Sequence, residues 1–291
     1  MTPEIKRIYG TILNTGLNST STSKVLAFVR DSVSRGYKFW ISTPNPEIIS
    51  LAEKDPELHK ALENSDLAIP DGIGLAQAAK FLSLGAPKNL FIRLFVLLFQ
   101  GAAVGLATFF KKEWLTSSLK IIKGRELFIE LIKLASKKRW RVFLLGGEPS
   151  VAKSAGLNLR KSFKIVRIAY AQGPRLNFRG EPASERDRVS QEEVVSQINE
   201  FKPHLLFVAF GAPKQEKWID KHLPKLKVGG AMVVGGTIDF LAGEAELPPK
   251  WMEEAGLEWV WRLIRQPWRV KRIFMAFPTF PLKVFWYKLT S

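Results

Sequence analysis

The stretch that decides the fold is an apolar strand that runs into a proline, an aspartate and a glycine: Ser65-Asp66-Leu67-Ala68-Ile69-Pro70-Asp71-Gly72-Ile73-Gly74. Proline fixes the backbone before Asp71, and the glycines allow other groups to approach closely. If a helix begins after this turn, the Asp71 carboxylate lies at the mouth of a cleft, where a general base is expected. A plain turn, in which the aspartate accepts local backbone hydrogen bonds, explains the same residues.

Short apolar runs resembling this strand recur along the chain and alternate with segments of helical length and period. Continuous apolar runs are typical of buried parallel strands. The runs are 38–42, 67–69, 141–145, 165–169, 205–210 and 231–234, and the helical segments are 23–35, 46–53, 74–82, 124–138, 150–163, 188–201 and 213–222. The alternation predicts an α/β fold, with an open, mostly parallel, Rossmann-like sheet flanked by helices and right-handed crossovers.

Glycine, proline and polar residues follow five of these strands, at 43–46, 70–72, 146–148, 211–213 and 235–237. In open parallel sheets ligands bind outside the carboxyl ends of the strands, so we expect a cleft there. Two polar residues near these strand ends, which are candidates for contact with a ligand, also have purely structural explanations. Asn45 is a good N-cap for a helix that begins at Pro46, and Gln215 is unremarkable in the first turn of a surface helix. No loop carries a dinucleotide fingerprint or a P-loop, which disfavours nicotinamide oxidoreductases and NTPases.

Composition restricts the chemistry further. The chain has 291 residues, of which 46% are hydrophobic and 24% are charged, as expected for a globular protein. It contains no cysteine and only three histidines, which excludes disulfides and thiolate zinc sites and disfavours a histidine metal cluster. No Asp-x-Asp occurs, so we expect neither a metal nor another cofactor, and arginine must neutralise any diphosphate. Residues 1–10 lack the apolar core of a secretory signal.

The net charge of +17 predicts a polyanionic partner. Residues 259–291 contain seven Lys or Arg, nine aromatic residues and no Asp or Glu. Cations interleaved with Trp and Phe suit the headgroup layer of an anionic membrane surface. Nucleic-acid binders also mix arginine with aromatic residues, but no recognisable motif of that kind is present. We therefore favour a membrane surface over nucleic acid as the partner.

Residues 94–110 are uncharged and bracketed by basic residues. A helix of this length reaches about 26 Å, short of the roughly 30 Å hydrocarbon core of a bilayer. A single crossing would also place Asp71 and the Gly211 loop on opposite sides of the membrane, although both should edge one sheet. We expect a helix that dips into or lies on the bilayer, or a helical hairpin bent near Gly101. A buried core helix is the alternative.

The C-terminal segment begins after Pro248-Pro249, which predicts an α/β domain at 1–247, with an apolar insertion at about 84–122, and a basic helical appendage at 248–291. Four arginines of the appendage are spaced three and four residues apart, so a helix would stack them on one face even if Pro267 bends it. A solvated basic stripe is the simple interpretation, but arginine offers bidentate donors that solubility does not require. The four are Arg262, Arg265, Arg269 and Arg272.

These residues together resemble a known family. Four ordered stretches are similar to the motifs of the WecG/TagA/CpsF family of bacterial glycosyltransferases (glycosyltransferase family 26). They are Thr43-Pro44-Asn45-Pro46, the stretch 64–74, Gly211-Ala212-Pro213-Lys214-Gln215-Glu216, and the C-terminal residues 256–272. The chain departs from the family pattern at Leu247-Pro248-Pro249, where Arg-Ala-Pro is usual, and at Gly124-Arg125-Glu126-Leu127, where Gly-Ser/Thr-Asp-Leu is expected.

The resemblance implies an inverting, metal-independent transferase at the cytoplasmic membrane face, in cell-surface polysaccharide or teichoic acid synthesis. It would move an N-acetylmannosamine-type sugar, or a related N-acetylhexosamine or uronic acid, from a UDP donor to an undecaprenyl-diphosphate-linked acceptor. Asp71 corresponds to the base that deprotonates the acceptor hydroxyl. The substrate-binding positions it implies are Thr43, Asn45, Gly72, Gly211, Gln215, Arg262, Arg269 and Arg272. A homo-oligomer is compatible with this interpretation, and the competing one is a non-enzymatic basic α/β module that binds nucleic acid or scaffolds a membrane complex.

Overall fold

The structure is a computed structural model and describes residues 8–147, 149–163 and 167–291. The strands are β1 (Ile8–Ile12), β2 (Thr15–Leu17), β3 (Phe39–Ser42), β4 (Leu67–Ala68), β5 (Arg141–Gly146), β6 (Arg167–Ala171), β7 (Leu205–Ala209) and β8 (Gly230–Val233). The helices of the first half are α1 (Thr22–Arg35), α2 (Pro46–Ala52), α3 (Pro56–Asn64), α4 (Ile73–Ser83), α5 (Leu90–Phe110), α6 (Lys112–Thr116) and α7 (Gly124–Lys138). Those of the second half are α8 (Pro149–Ser162), α9 (Glu185–Phe201), α10 (Lys214–His222), α11 (Thr237–Ala242), α12 (Lys250–Glu254), α13 (Glu258–Arg265), α14 (Val270–Phe274) and α15 (Phe280–Thr290).

Strands β3 to β8 form one parallel sheet in the order β4-β3-β8-β7-β5-β6. The predicted α/β class and all six apolar strands are thereby confirmed, except that residues 165 and 166 of the fourth run, 165–169, lie outside the described residues. The sequence analysis missed the antiparallel hairpin β1–β2, whose turn places Leu13 and Asn14 in the left-handed region. Its strands are short and mix polar with apolar residues, so no continuous apolar run marks them.

Side chains alternate between the two faces of the sheet, and helices cover both. One face packs Phe39, Ile41, Leu144 and Phe207 against α1, α7 and α8. The other packs Trp40, Phe143, Leu206 and Val233 against α9 and α10. Because both faces are buried, the strands carry the continuous apolar runs from which they were predicted.

Helix α5 differs from its prediction. It is one continuous helix of 21 residues, so the hairpin bent near Gly101 was wrong. At about 1.5 Å per residue the helix is about 32 Å long, enough to cross a hydrocarbon core. Only one stripe is buried, comprising Leu97, Val104, Ala107 and Thr108, and it packs into a core shared with α4 and α15. Because most of α5 lies outside the core, the buried-core alternative also fails.

The C-terminal segment after Pro249 forms α12 to α15 and packs back on the body. Helices α4, α5 and α15 contact one another around Phe81, Phe280 and Val284. Gly256 sits against α5 at a φ of +71°, where an added Cβ would lie 3.2 Å from Thr108 Cγ2. The position therefore requires glycine both for its backbone conformation and for the close approach.

Candidate active site

Asp71 lies at the carboxyl edge of the sheet, just beyond β4. Its backbone N–H donates to Pro44 O at 2.9 Å, and Ile122 N–H donates to Pro70 O at 3.1 Å. The turn is thus held between the loop after β3 and the segment that enters α7. An added Cβ on Gly124, the first residue of α7, would lie 3.2 Å from Asp71 Oδ2 and 3.4 Å from Thr43 Oγ1. A larger residue at position 124 would therefore crowd both side chains.

The Asp71 carboxyl is accessible from the cleft but lies deep within it. Burial raises its pKa from 3.8 to about 6, although a hydrogen bond from the Gly124 backbone and the charge of Arg262 both act to lower the pKa. The carboxylate of Glu258 raises it and Lys123 lowers it, each to a smaller extent. A carboxylate with a raised pKa at a sheet edge has the properties of a general base that works near neutral pH.

The neighbouring strand ends contribute Thr43, Asn45 and Gly72. Thr43 Oγ1 lies beside Asp71 and donates to Val233 O at 3.4 Å. Asn45 Oδ1 accepts from Ile48 N–H at 2.9 Å and so caps α2, yet the residue also lines the cleft in front of Asp71. Gly72, with a φ of +95°, precedes α4 and lines the same cleft. The structure brings these three candidates together with Asp71.

Gly211, in the loop after β7, and Gln215, in the first turn of α10, do not line this cleft. The Gln215 side chain is 4% exposed. Its Oε1 accepts from the backbone N–H groups of Gly211 and Gly235 at 3.1 Å each, and its Nε2 donates to Glu216 Oε1 at 2.9 Å. Gln215 therefore links the loop after β7 to the loop after β8 through these hydrogen bonds. Its predicted contact with a ligand stays a prediction.

Three of the four appendage arginines line the same cleft as Asp71: Arg262, Arg269 and Arg272. Among the described residues Arg262 forms no salt bridge, Arg269 lies 3.9 Å from Asp239 Oδ2, and Arg272 donates to Glu47 Oε1 at 2.5 Å. Burial lowers the pKa of Arg269, and the nearby charges of Arg272 and Arg262 lower it further. Although Asp239 and Glu47 each lie beside one of them, three guanidinium groups in one cleft form a site for a multiply charged anion.

Arg265 does not join this group, so the predicted stack of four on one face was wrong. Helix α13 ends at Arg265, and a 3₁₀ turn at Pro267–Arg269 separates it from α14. Arg265 instead pairs with Glu246 and lies over the Trp261 ring at 5.0 Å from its centroid. The break at Pro267 turns the helix, and the regular spacing of the arginines no longer places all four on one side.

The arginines, Asp71 and the strand ends enclose a cleft of about 1170 Å³. That slightly exceeds the roughly 300–1,000 Å³ of pockets for drug-sized ligands. Within the described residues no group of three His, Asp or Glu side chains is arranged to hold a metal ion.

The sequence model of the WecG/TagA/CpsF glycosyl transferase family matches residues 10–111 and 96–291. The chain belongs to this family. The two matched segments overlap within α5, the region that the sequence analysis identified as an insertion.

Two curated relatives of this WecG/TagA/CpsF chain carry the name N-acetylglucosaminyldiphosphoundecaprenol N-acetyl-beta-D-mannosaminyltransferase. The protein of that name from Bacillus subtilis (strain 168) is 29% identical over 269 residues, which cover 92% of this chain and 87% of the relative. The one from Staphylococcus aureus (strain MW2) is 26% identical over 245 residues, covering 84% and 79% of the two chains.

The site also contains residues that the sequence analysis missed. Lys123, just before α7, lies 3.2 Å from Glu258 Oε1 and also pairs with Glu253. Arg125 Nη2 lies 2.8 Å from Glu253 Oε1. Burial acts to lower the pKa of Lys123, but the two carboxylates outweigh it and the pKa is raised. Arg125 stands where this family usually has Ser or Thr, and that departure was the one available signal of an added contact with the appendage.

Proposed function

We propose that this protein transfers an N-acetylmannosamine-type sugar from a UDP donor to a polyprenyl-diphosphate-linked N-acetylglucosamine acceptor, with Asp71 as the general base. One observation carries the proposal: Asp71 and a cluster of arginines line the same cleft in a chain that belongs to this family. The printed names of the relatives support the sugar and the lipid-linked acceptor.

The proposed chemistry is a single displacement. Asp71 removes the proton of the acceptor hydroxyl while the hydroxyl oxygen attacks the anomeric carbon of the donor sugar. The C–O bond between that carbon and the donor diphosphate breaks on the opposite face of the sugar. The configuration at that carbon is therefore inverted. A base with a pKa of about 6 is ionised at neutral pH and still basic enough to help, and such assistance is typically worth about 10²–10⁴-fold.

The arginines of the appendage receive the leaving group. As the bond breaks, negative charge develops on the UDP diphosphate, and Arg262, Arg269 and Arg272 stabilise it by charge-assisted hydrogen bonds. Arg262 is available at once, since it forms no salt bridge within the described part of the chain, whereas Arg272 exchanges Glu47 for phosphate. We therefore expect turnover without an added divalent cation.

We propose a peripheral position on the cytoplasmic membrane face, and the exposed apolar residues support contact with a membrane surface. Phe95 and Phe99 of α5 are 70% and 78% exposed, and Trp268 and Trp286 of the appendage are 73% and 65% exposed. Such clusters beside basic residues are typical of interfacial helices. Because one stripe of α5 packs on α4 and α15, we propose that α5 lies on the bilayer without crossing it.

The test is UDP release by the full-length protein from a panel of UDP-N-acetylhexosamines, with a short-chain lipid-diphosphate N-acetylglucosamine acceptor. We expect release only when donor and acceptor are both present, unchanged by EDTA. Absence of release with every pair, together with retained affinity for DNA or RNA at physiological salt, would support the binding-module alternative. Loss of turnover in EDTA that Mg²⁺ restores would refute the metal-independent mechanism and leave the transferase assignment intact.

Vesicle flotation tests the membrane assignment separately. We expect the full-length protein to float with vesicles that contain phosphatidylglycerol, and a chain truncated before Trp251 to lose both flotation and activity. A truncated chain that still floats would assign the anchor to α5. Failure of the full-length protein to float would contradict the peripheral membrane position.

A further inference from the structure

The cleft continues past the polar residues into an apolar groove between α4, α5 and α15. We define the apolar groove by Phe81, Gly101, Val104, Gly105, Phe280 and Val284, all of which line the same cleft as Asp71 and Arg262. Phe81, Val104, Phe280 and Val284 are buried and form its floor, whereas Gly105 is exposed. The cleft thus has a carboxylate and arginines in one part and hydrocarbon in the other. A sugar diphosphate attached to a hydrocarbon chain has the same arrangement, with polar and charged groups at one end and hydrocarbon at the other.

We propose that the apolar groove holds the first isoprene units of the acceptor's polyprenyl chain while its sugar lies at Asp71. The inference rests on the proposed function, because it assigns a subsite to the same acceptor. A nucleotide sugar has no group that gains from this groove. The occupant must therefore be hydrocarbon, and only a lipid attached to the reacting sugar occupies the polar and apolar parts at once.

Two glycines of α5 keep the groove open. An added Cβ at Gly105 would meet nothing within 4 Å, and one at Gly101 would lie 3.9 Å from the Phe81 ring. Glycine in a helix interior is unfavourable by roughly 0.5–1 kcal/mol relative to alanine, so neither position serves helix stability. The two glycines lie about one turn apart on α5. Together they form a strip of the helix without side chains, and this strip faces the space inside the cleft.

Polar contacts between α4, α5 and α15 hold the walls of the groove in place. Lys288 Nζ donates to Phe81 O and, at 2.8 Å, to Gln100 Oε1. Arg93 Nη1 donates to Leu289 O at 3.1 Å, and Gln77 Nε2 donates to Thr108 Oγ1 at 2.5 Å. These contacts use the polar side chains of a helix that otherwise has almost none. The groove is therefore built into the fold of the free protein.

The remaining faces of α5 provide a route for the rest of the chain. Phe91, Phe95 and Phe99 are exposed on the helix whose Gly101 and Gly105 line the groove. If α5 lies on the bilayer, as proposed above, a polyprenyl chain passes from the groove directly into lipid. Its hydrocarbon then avoids water along its length, which is the favourable outcome for apolar surface.

The experiment compares Gly105→Leu with the wild-type full-length protein on two acceptors, one with a single isoprene unit and one with several, in the same detergent micelles. In the wild type we expect a higher kcat/KM for the longer acceptor. In Gly105→Leu we expect kcat/KM to fall about tenfold for the longer acceptor and to change less than twofold for the shorter one. The matched control is Ala102→Leu, the same kind of enlargement at an exposed position of α5 outside the cleft.

A Gly105→Leu variant that keeps the wild-type preference for the longer acceptor would overturn the proposal. An equal loss on both acceptors, or the same loss in Ala102→Leu, would overturn it too. Thermal unfolding and vesicle flotation of each variant identify a change in folding or docking. Inactivity of the wild type on both acceptors would refute the proposed function, and the groove would then be tested by cross-linking alone.

That second measurement uses a photoreactive polyprenyl diphosphate without sugar. We expect cross-links at residues of the apolar groove, displaced by unlabelled polyprenyl diphosphate and retained in excess phosphatidylglycerol. Cross-links confined to the outer face of α5, or displaced equally by phosphatidylglycerol, would assign the surface to general lipid contact and overturn the proposal.

Discussion

Two loops at the same edge of the sheet, 70–72 and 211–215, differ in what surrounds their polar side chains. Asp71 is hydrogen-bonded by the Gly124 backbone, and its carboxyl keeps a raised pKa in an open cleft. Gln215 is buried, and each end of its amide is hydrogen-bonded. Position at the end of a parallel strand is therefore insufficient to make a reacting group. The first loop leaves an ionisable group for a substrate, whereas the second uses its side chain to hold the backbone.

Asp71 and Gln215 also differ in their effect on the stability of the folded protein. A carboxyl whose pKa is raised on folding binds its proton more tightly in the folded state, so stability falls as pH rises between the two pKa values. For Asp71 that window runs from about 4 to about 6. At neutral pH the ionised carboxylate thus opposes folding, while the Gln215 hydrogen bonds favour it.

The largest effect is expected from Asp71→Asn. Loss of the base should lower kcat by about 10²–10⁴-fold, with UDP-sugar binding little changed. Because the buried charge is removed, the free energy of unfolding at pH 7.5 should rise by about 1–3 kcal/mol. UDP release, donor binding by calorimetry and urea denaturation measure the three quantities.

An active Asp71→Asn variant would remove Asp71 from the mechanism and with it the contrast between the loops. The wild-type pH–rate profile supplies an independent check. Activity should rise as pH increases through about 6, since only the ionised carboxylate accepts a proton, and a flat profile from pH 5 to 7 would contradict the assignment.

Arg262→Ala should lower kcat/KM by about 10–100-fold, the loss of one charge-assisted hydrogen bond to the leaving group. Its stability should change by no more than about 0.5 kcal/mol, because Arg262 has no salt bridge among the described residues. The charge of Arg262 lowers the pKa of Asp71, so the acid limb of the pH–rate profile should move to higher pH. Arg265→Ala is the matched control, and an equal loss in both variants would contradict the assignment of the cleft arginines.

Gln215→Ala should act mainly on stability. It leaves the N–H groups of Gly211 and Gly235 without their acceptor, which should cost about 1–3 kcal/mol in urea denaturation. Lys214→Ala, one residue earlier, controls for truncation in this helix. If Gln215→Ala instead raised the KM for the donor without loss of stability, Gln215 would be a ligand contact and the two loops would be alike.

The smallest effect concerns Glu216, the buried neighbour of Gln215. Burial raises its pKa from 4.5 to about 7, and in the described part of the chain its Oε2 has no hydrogen-bond partner. Stability should therefore fall as pH rises from about 4.5 to about 7. Glu216→Gln should weaken this dependence and add about 1 kcal/mol at pH 8, as measured by urea denaturation at pH 5 and pH 8. An unchanged pH dependence would show that Glu216 does not titrate in this window.

Sequence reasoning succeeded where a signal is local. The strands were found from continuous apolar runs, and the turn chemistry of Pro70 and Gly72 led to Asp71, whose role as a base stays a prediction. It failed at Arg265, because the spacing assumed an unbroken helix, and at α5, whose length depends on capping by Asn89 and on contacts with α15. Lys123 and Glu258 are 135 residues apart along the chain, and nothing in their own neighbourhoods indicates that they pair.

The sequence alone therefore determined the α/β class, the edge of the sheet where the candidate site lies, the basic aromatic composition of the C-terminal segment and the residue proposed as the base. Periodicity, turn residues and charge are properties of short segments, so they survive without coordinates. Only the tertiary structure decided which strand-end side chains face the cleft and which arginines join them. It also decided that two glycines of α5 line an apolar groove. Those outcomes depend on which distant segments pack together, because packing sets the burial, the electrostatic surroundings and the free space of each side chain.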